Sequence, residues 1–502
     1  MPETISSSIA NFRPELALAL TFIAAMIMEF AARGKGRLTG AVVLAGFAVA
    51  LALMPFSPAG PERIFSGMIA LDPFSVFFKY FVIVTGIVIV LFSFQSQELR
   101  RDAPRIGEYF CFIAALTFGM TLMAGAANLL MIYIAIELVG ISSYILAGFT
   151  KSVRRSSEAA LKYVLYGAVS SGLMLYGMSL IFGLMGSLDL VRIHDVLARG
   201  HAITTGWSFA TMMIGVVLIL AGLGYKISAV PFHFWTPDVY EGAPITITAF
   251  LAVASKAAGF AVLIRFFTVM FFDMYTTANV RASFSGVNWN LVLAVLSVAT
   301  MTVGNFIAVW QDNLKRMLAY SSIAHAGYLL MGVVVSSDSG IAAVLLYFIM
   351  YFFMNLGAFY VVMAVADKIG SEHIDDYRGF GKRAPTVGVG FAIFLISLTG
   401  LPPTGGFVGK LILFSAVVDS PFLWLAVVAV LNTVVSLYYY ARVLRNMYLR
   451  EPLDGDISPI RFRPAVVVTV VLFIIPNILF GLYFEPLVKW TQASVAMLLP
   501  GA

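Results

Sequence analysis

Cysteine, histidine and charge are scarce in this chain. One cysteine, Cys111, stands among 502 residues, so neither a disulfide framework, a thiolate metal site nor an iron–sulfur cluster can be built from it. The five histidines show no HxxxH or HExxH spacing and no accompanying carboxylate cluster, so no metal centre is expected. Only 12% of residues are charged against 60% hydrophobic, with 42 Phe, a balance that excludes a water-soluble globule of this length. The net charge of +6 is spread over short basic blocks between apolar runs, as in loops facing anionic lipid headgroups, and does not point to nucleic acid. The opening residues lack the basic start, short apolar core and small-residue cleavage site of a signal peptide, so the first apolar run reads as a retained span.

What the chain does have is long apolar runs. A hydrocarbon core of roughly 30 Å needs about 20 residues of helix, and on that measure there are about fourteen spans. They begin near Pro14, Leu38, Pro73, Gly107, Asn128, Ser157, Ser208, Pro244, Asn290, Met317, Gly340, Thr386, Phe422 and Pro464. Continuous apolar runs lack the alternation of a barrel, and a helix satisfies its own backbone in lipid, so the fold class is all-α and polytopic. With alternating sides, one face collects Arg33/Lys35/Arg37, Arg100/Arg101/Arg105, Lys151/Arg154/Arg155, Lys315/Arg316, Lys368/Arg378/Lys382/Arg383 and Arg442/Arg445/Arg450/Arg461/Arg463. That bias marks this face as cytoplasmic and puts both termini outside. The plain reading of these clusters is that they are solvated topology anchors.

Two spans are interrupted. One runs from Gly222 through Tyr225, Lys226, Pro231, His233 and Pro237 to Pro244; the other from Gly400 through Pro402, Pro403, Gly405 and Gly406 to Lys410. Glycine and proline within a span free backbone groups that must face protein or a wet cavity, the arrangement in which transporters build ion sites near mid-membrane. A lysine beside each break suggests two related halves of inverted topology. A short echo, Ser142-Ser143 with Gly148-Phe149 against Ser321-Ser322 with Gly327-Tyr328, is compatible with that. The run Gly405 to Leu411 resembles a phosphate loop only superficially, because its leading glycine is displaced and Leu411 stands where Ser or Thr is needed.

Glu137, Lys162, Lys226, Lys256 and Lys410 stand inside otherwise apolar spans. Each such group costs roughly 2.5 to 3.5 kcal/mol at the bilayer centre on insertion scales, which makes a path for protons the leading reading. Glu137, Lys256 and Lys410 lie deepest. Lys162 is only about a turn and a half inside its helix, so anchoring at the interface and function are balanced readings. Lys79 and Arg265 read as side chains that snorkel to the membrane surface. Neutral imidazole both donates and accepts, so His325 and, less directly, His233 are candidate relays, against the alternative of hydrogen-bonded packing residues.

The residues around these charges carry a resemblance. Ala135-Ile-Glu137-Leu138, Leu161-Lys162-Tyr163, Tyr225-Lys226, the run Val230-Pro-Phe-His-Phe-Trp-Thr-Pro-Asp-Val-Tyr-Glu-Gly-Ala-Pro244, Ser255-Lys256, Leu318 to Tyr328 and Gly400 to Lys410 together resemble the antiporter-like subunit group of proton-pumping NADH:quinone oxidoreductase, respiratory complex I. Within that group the pattern is similar to the subunit N type. The chain stops after about fourteen helices, Lys410 stands where the M type has glutamate, and Asp375 to Pro385 looks like the N-type connection.

The resemblance implies helices 1–3 over 1–106, inverted five-helix repeats over 107–273 and 274–448 with helices 7 and 12 broken, and a last helix over 449–502. It implies that Glu137 is paired with Lys226, that Lys226 and Lys410 are the carriers beside the two breaks, and that Lys256 connects them. Lys162, His325 and His233 have less defined roles. NADH, FMN, iron–sulfur clusters and quinone would lie in other subunits, with no cofactor or metal on this chain. Partners would be an M-like neighbour, small hydrophobic subunits and lipid, in a bacterial plasma (inner) membrane with periplasmic termini. Two other readings stay open: a subunit of a multisubunit sodium/proton antiporter, and a non-pumping scaffold of the membrane arm.

Overall fold

A computed structural model describes residues 5–32, 34–56, 62–100, 105–198, 206–272, 287–452, 455 and 457–495. Arg33, Arg101 and the 273/274 repeat boundary lie outside the described residues. Among the described residues, thirteen helices are long and apolar enough to cross a membrane. In chain order the first to eleventh spans are Arg13–Ala31, Gly36–Phe56, Pro73–Gln95, Ile106–Gly125, Leu129–Ala147, Arg154–Met185, Gly206–Ile227, Ile245–Phe271, Trp289–Ala308, Leu314–Val335 and Asp338–Ile369. The twelfth is split into Pro385–Thr399 and Gly405–Val418; Leu423–Leu449 and Pro464–Leu482 are the thirteenth and fourteenth. The chain is a multi-pass, all-α membrane protein, and the eighth, tenth and eleventh spans, almost wholly buried, form its centre.

Local sequence sets the ends of these helices. Asp72 caps the third span, accepting from the Ser75 N–H while Ser75 answers the Asp72 N–H, with Pro73 in the first turn, which satisfies donors that a helix start otherwise leaves free. Asn128, Asn313 and Ser337 cap the fifth, tenth and eleventh spans with a side-chain oxygen alone, accepting from the N–H groups of Leu130, Arg316 and Gly340. A small hairpin, β1 (Glu62–Ile64) and β2 (Ile69–Leu71), pairs antiparallel ahead of the third span.

The repeat is visible in backbone geometry. The sixth and eleventh spans each have 32 residues and each end on a left-handed glycine, Gly186 and Gly370. The segment after each span then bridges back to a helix cap, Asp189 to Asn128 and His373 to Asn313. In both, the residue after the asparagine donates backward, Leu129 to the Leu188 carbonyl and Leu314 to that of Glu372. Five spans per repeat is an odd number, so the second copy enters the membrane from the opposite side, the inverted arrangement. Matching Asn313 to Asn128 sets Ser142 opposite Gly327, so the Ser-Ser echo read from the sequence is out of register and coincidental. The same register sets Ser322 opposite Glu137.

Lys79 and Arg265 do not snorkel. Lys79 is buried and pairs with Glu15 of the first span at 2.5 Å. Arg265, fully buried, forks onto both oxygens of Asp72 at 2.7 and 2.9 Å and lies over the Phe74 ring. A buried partner from another span lets each cation stay inside, because paired charges recover in the interior much of what they lose in desolvation. Lys315 likewise is no solvated anchor. It is buried, donates to the Ala243 carbonyl at 2.8 Å and pairs with Glu372 at 3.3 Å.

Candidate functional site

The three central lysines are each nearly sealed from solvent, Lys226 at 4%, Lys256 at 2% and Lys410 at 3% exposure. Lys226 stands at the end of the seventh span, just before the chain turns at Ser228 and resumes as the short helix Trp235–Gly242. The break is held by Trp235 Nε1 donating to the Tyr225 carbonyl at 3.0 Å and by Thr236 bonding Ser228 at 2.8 Å. A Cβ at Gly259 would lie 3.3 Å from Lys226 Cγ, so the lysine stem packs on the eighth span one turn from Lys256.

Glu137 is half-buried on the fifth span. It acts electrostatically on Lys226 without a direct ion pair. Around it the Tyr144 and Tyr225 hydroxyls are bonded to each other, and Tyr225 donates to the Tyr163 carbonyl at 3.0 Å. The interaction of Glu137 with Lys226 is therefore electrostatic, without a direct hydrogen bond.

Lys256 begins the helical stretch that follows a π turn at Leu251–Ser255, an irregularity common at functional sites. Its ammonium donates to the Ser322 hydroxyl at 2.6 Å and carbonyl at 2.8 Å. Tyr351 donates to the same hydroxyl at 2.9 Å. The His325 ring lies 5.2 Å from Tyr351 and 5.9 Å from Tyr328, with Nδ1 2.6 Å from the Tyr347 hydroxyl. Lys410 Nζ stands 4.6 Å from the centre of the Tyr328 ring. His325 thus occupies the gap between Lys256 and Lys410, within electrostatic reach of both.

Lys410 closes the series beside the second break. Its ammonium donates to the carbonyls of Leu398 and Thr399 at 3.3 and 2.8 Å, the free C-terminal end of the first half-helix. Gly400 makes this fit possible. It is left-handed at φ +88°, and a Cβ there would lie 2.7 Å from Lys410 Cδ. Ser397 ties the break to the fourteenth span through Asn477 at 2.7 Å and caps Gly406 at 3.0 Å. Beyond Tyr328 the polar contacts continue to Asn305, Asn432 and Tyr439.

Two of the residues singled out from sequence stand apart. Lys162, 37% exposed, joins a surface cluster with Asp238 at 2.7 Å and Glu158 at 2.8 Å, and Asp238 passes on to Arg316 at 2.6 Å. His233 packs against Phe234 and bonds to the Pro231 backbone, and among the described residues it shares no hydrogen bond with Lys226, Lys256 or Lys410. The tyrosines and Asn305 were not singled out, since aromatic and amide residues in apolar spans carry no spacing signal; only the fold brings them together.

Residues 126–436 match the family described as NADH:quinone oxidoreductase/Mrp antiporter, TM. NADH-quinone oxidoreductase subunit N of Chlorobium chlorochromatii (strain CaD3) is 45% identical over 500 residues, covering 98% of this chain and 96% of that protein. A chain of respiratory complex I from Thermus thermophilus superposes with a TM-score of 0.74 at 30% identity, over 94% of this chain and 99% of that one. A chain of the Mrp complex from Dietzia sp. DQ12-45-1b gives a TM-score of 0.83 at 21% identity, over 97% of both, a likeness of fold alone. The chain belongs to the NADH:quinone oxidoreductase/Mrp antiporter transmembrane family, and within it to the subunit N group.

Proposed function

We propose that this chain carries protons across the membrane as part of the membrane arm of an NADH:quinone oxidoreductase. The observation that carries the reading is the line of contacts Lys256–Ser322–Tyr351–His325–Tyr328–Lys410, with Lys226 of the seventh span packed against Gly259, one turn from Lys256 on the eighth. Protons move from the basic-loop face, taken as cytoplasmic, along Lys226, Lys256 and Lys410 to the outside. Both termini lie outside in this orientation, in a bacterial inner membrane.

The drive is electrostatic. A carboxylate moved to about 6 Å from an ammonium, at an effective dielectric near 20, changes how tightly the proton is held by roughly 3 kcal/mol. Glu137, half-buried and not locked to Lys226, is the group able to make that movement when a neighbouring subunit shifts. An M-like subunit and small hydrophobic subunits are the proposed neighbours. The redox steps, with NADH, FMN, iron–sulfur clusters and quinone, belong to other subunits, and a lone cysteine leaves no cluster ligand set here.

The Mrp-like fold favours a second reading, a sodium/proton antiporter subunit. Both are tested with the assembled complex in vesicles. Proton uptake driven by NADH and quinone in sodium-free medium is the expected result; exchange that requires sodium and ignores NADH would replace the first reading with the second.

A further inference from the structure

A polar cavity of about 750 Å³ opens among the basic-face loops, where the two repeats meet. The loops before the fourth, sixth, eighth, tenth and twelfth spans all contribute, with Glu98, Arg155, Glu241, Lys315, Asp367 and Glu372 among its walls. Glu98 sits at the start of the eighth span, accepting from the Ile245 N–H at 3.2 Å. Lys315, buried beside it, holds the Ala243 carbonyl and acts electrostatically on Glu98. Burial pushes the Glu98 carboxyl above its ordinary value, with Lys315 opposing, the environment of a carboxyl that holds its proton more tightly than one in water.

Two helices lead inward from this cavity to Lys256. The eighth span covers the distance from Ile245 to Lys256 in about 16 Å at 1.5 Å per residue, and buries Thr246 and Thr248 on the way. The eleventh span, whose end at Ala366–Ile369 lines the cavity, packs along it and carries Asn355 one turn beyond Tyr351. Asn355 is fully buried, yet neither atom of its amide has a partner. The Tyr240 hydroxyl is also buried and reaches Ser322, and its ring lies 6.0 Å from Lys256 Nζ. Buried polar groups are almost always bonded, to protein or to ordered water, so the Asn355 amide marks a water position between cavity and lysine, and Tyr240 joins it to the Ser322 that Lys256 holds.

We propose that Glu98 is the carboxylate that loads protons into this chain, with Lys315 as its counter-charge, and that they pass between the eighth and eleventh spans by Asn355 and Tyr240 to Lys256. The step is a plain proton transfer: the Glu98 carboxylate takes a proton from water in the cavity and gives it to the internal water next to Asn355. The proposal rests on the lysine path proposed above, which it enters at the middle station, Lys256, so that Lys226 exchanges protons with Lys256 sideways and not as the first acceptor.

The test uses the intact complex in proteoliposomes, reading proton pumping against NADH oxidation. Glu98→Gln keeps an acceptor for the Ile245 N–H but cannot carry a proton. With assembly at the unmodified level, pumping should fall roughly tenfold or more, the low end of what losing a proton-transfer group costs. In Glu98→Ala, added sodium formate, a small weak acid, should restore pumping where sodium chloride does not, a response that a capping role would not produce. A Glu98→Gln complex that pumps as well as the unmodified one, or a Glu98→Ala complex indifferent to formate, overturns the proposal. Lys256→Met separates the two levels of the account. If it abolishes pumping while Glu98→Gln does not, the inlet is wrong and the lysine path stands; if neither lowers pumping, the path fails and the inlet with it.

Discussion

Lys410 Nζ lies 2.8 Å from the carbonyl oxygen of Thr399, the last residue of the half-helix that stops short of it. The end of a helix presents unpaired carbonyls and a partial negative charge of about half an electron. An ammonium there is held by dipoles instead of a carboxylate, so it can lose its proton without leaving a buried anion behind. That is the physical difference between this lysine and Lys79, which is locked to Glu15.

Gly400 should be intolerant of any side chain. Gly400→Ala combines a left-handed φ of +88° with a Cβ 2.7 Å from Lys410 Cδ, a strain of about 1 to 3 kcal/mol. The lysine must move off the helix end. The expected result is an assembled complex whose pumping drops several-fold; unchanged pumping would mean the carbonyl contact is not needed.

Glu137 and Lys226 should behave as a functional pair rather than a structural one. Because no direct ion pair joins them, Glu137→Ala and Lys226→Ala should each leave the amount of assembled complex unchanged while lowering pumping and coupled quinone reduction. Pumping and quinone reduction at the unmodified rates in both variants would make these residues structural.

The opposite holds for Arg265 and Asp72. Arg265→Met strands a buried carboxylate and should destabilise the chain by about 3 to 5 kcal/mol, whereas removing both charges together costs much less. Thermal unfolding in detergent of Arg265→Met against Arg265→Met/Asp72→Leu measures this. Equal loss in the two would mean the pair contributes nothing beyond packing.

The turn Ile374–Tyr377 should respond to acid. The hydrogen bond from Arg378 holds the Asp375 carboxyl below the usual carboxylate range. A lowered carboxylate contributes stability above its unfolded value near 3.9, and that contribution fades as pH falls through the folded value. Hydrogen-exchange protection of the turn, corrected for intrinsic rates, should be flat near neutrality and fall below about pH 4. Asp375→Asn should remove the step. With the side chain 63% exposed, the effect is local.

Hydropathy alone made the spans legible, because a backbone in lipid has so few solutions, and glycine and proline marked both breaks. Lys226, Lys256 and Lys410 stood out for the same reason, as charges where none belongs. What could not be read was partnership. Glu15 and Asp72 look like surface residues at helix starts, and only the packing of the first, third and eighth spans turns them into counter-charges for Lys79 and Arg265. Lys315 looked like one more loop cation until the second repeat folded it under Glu98. His325 stood out as a candidate, but its contacts with Tyr351 and Tyr328, and those of Ser322, could not be read, because hydroxyls and rings come together only in the fold.

The central claim is that the buried lysines are stations for protons and not locks between helices. Lys410→Met keeps the length and shape of the side chain and removes only its charge and its donors. Measured as protons moved per electron in proteoliposomes holding the assembled complex, this variant should fall clearly below the unmodified ratio. A ratio identical to that of the unmodified complex, at equal assembly, would contradict the account and leave the chain a scaffold.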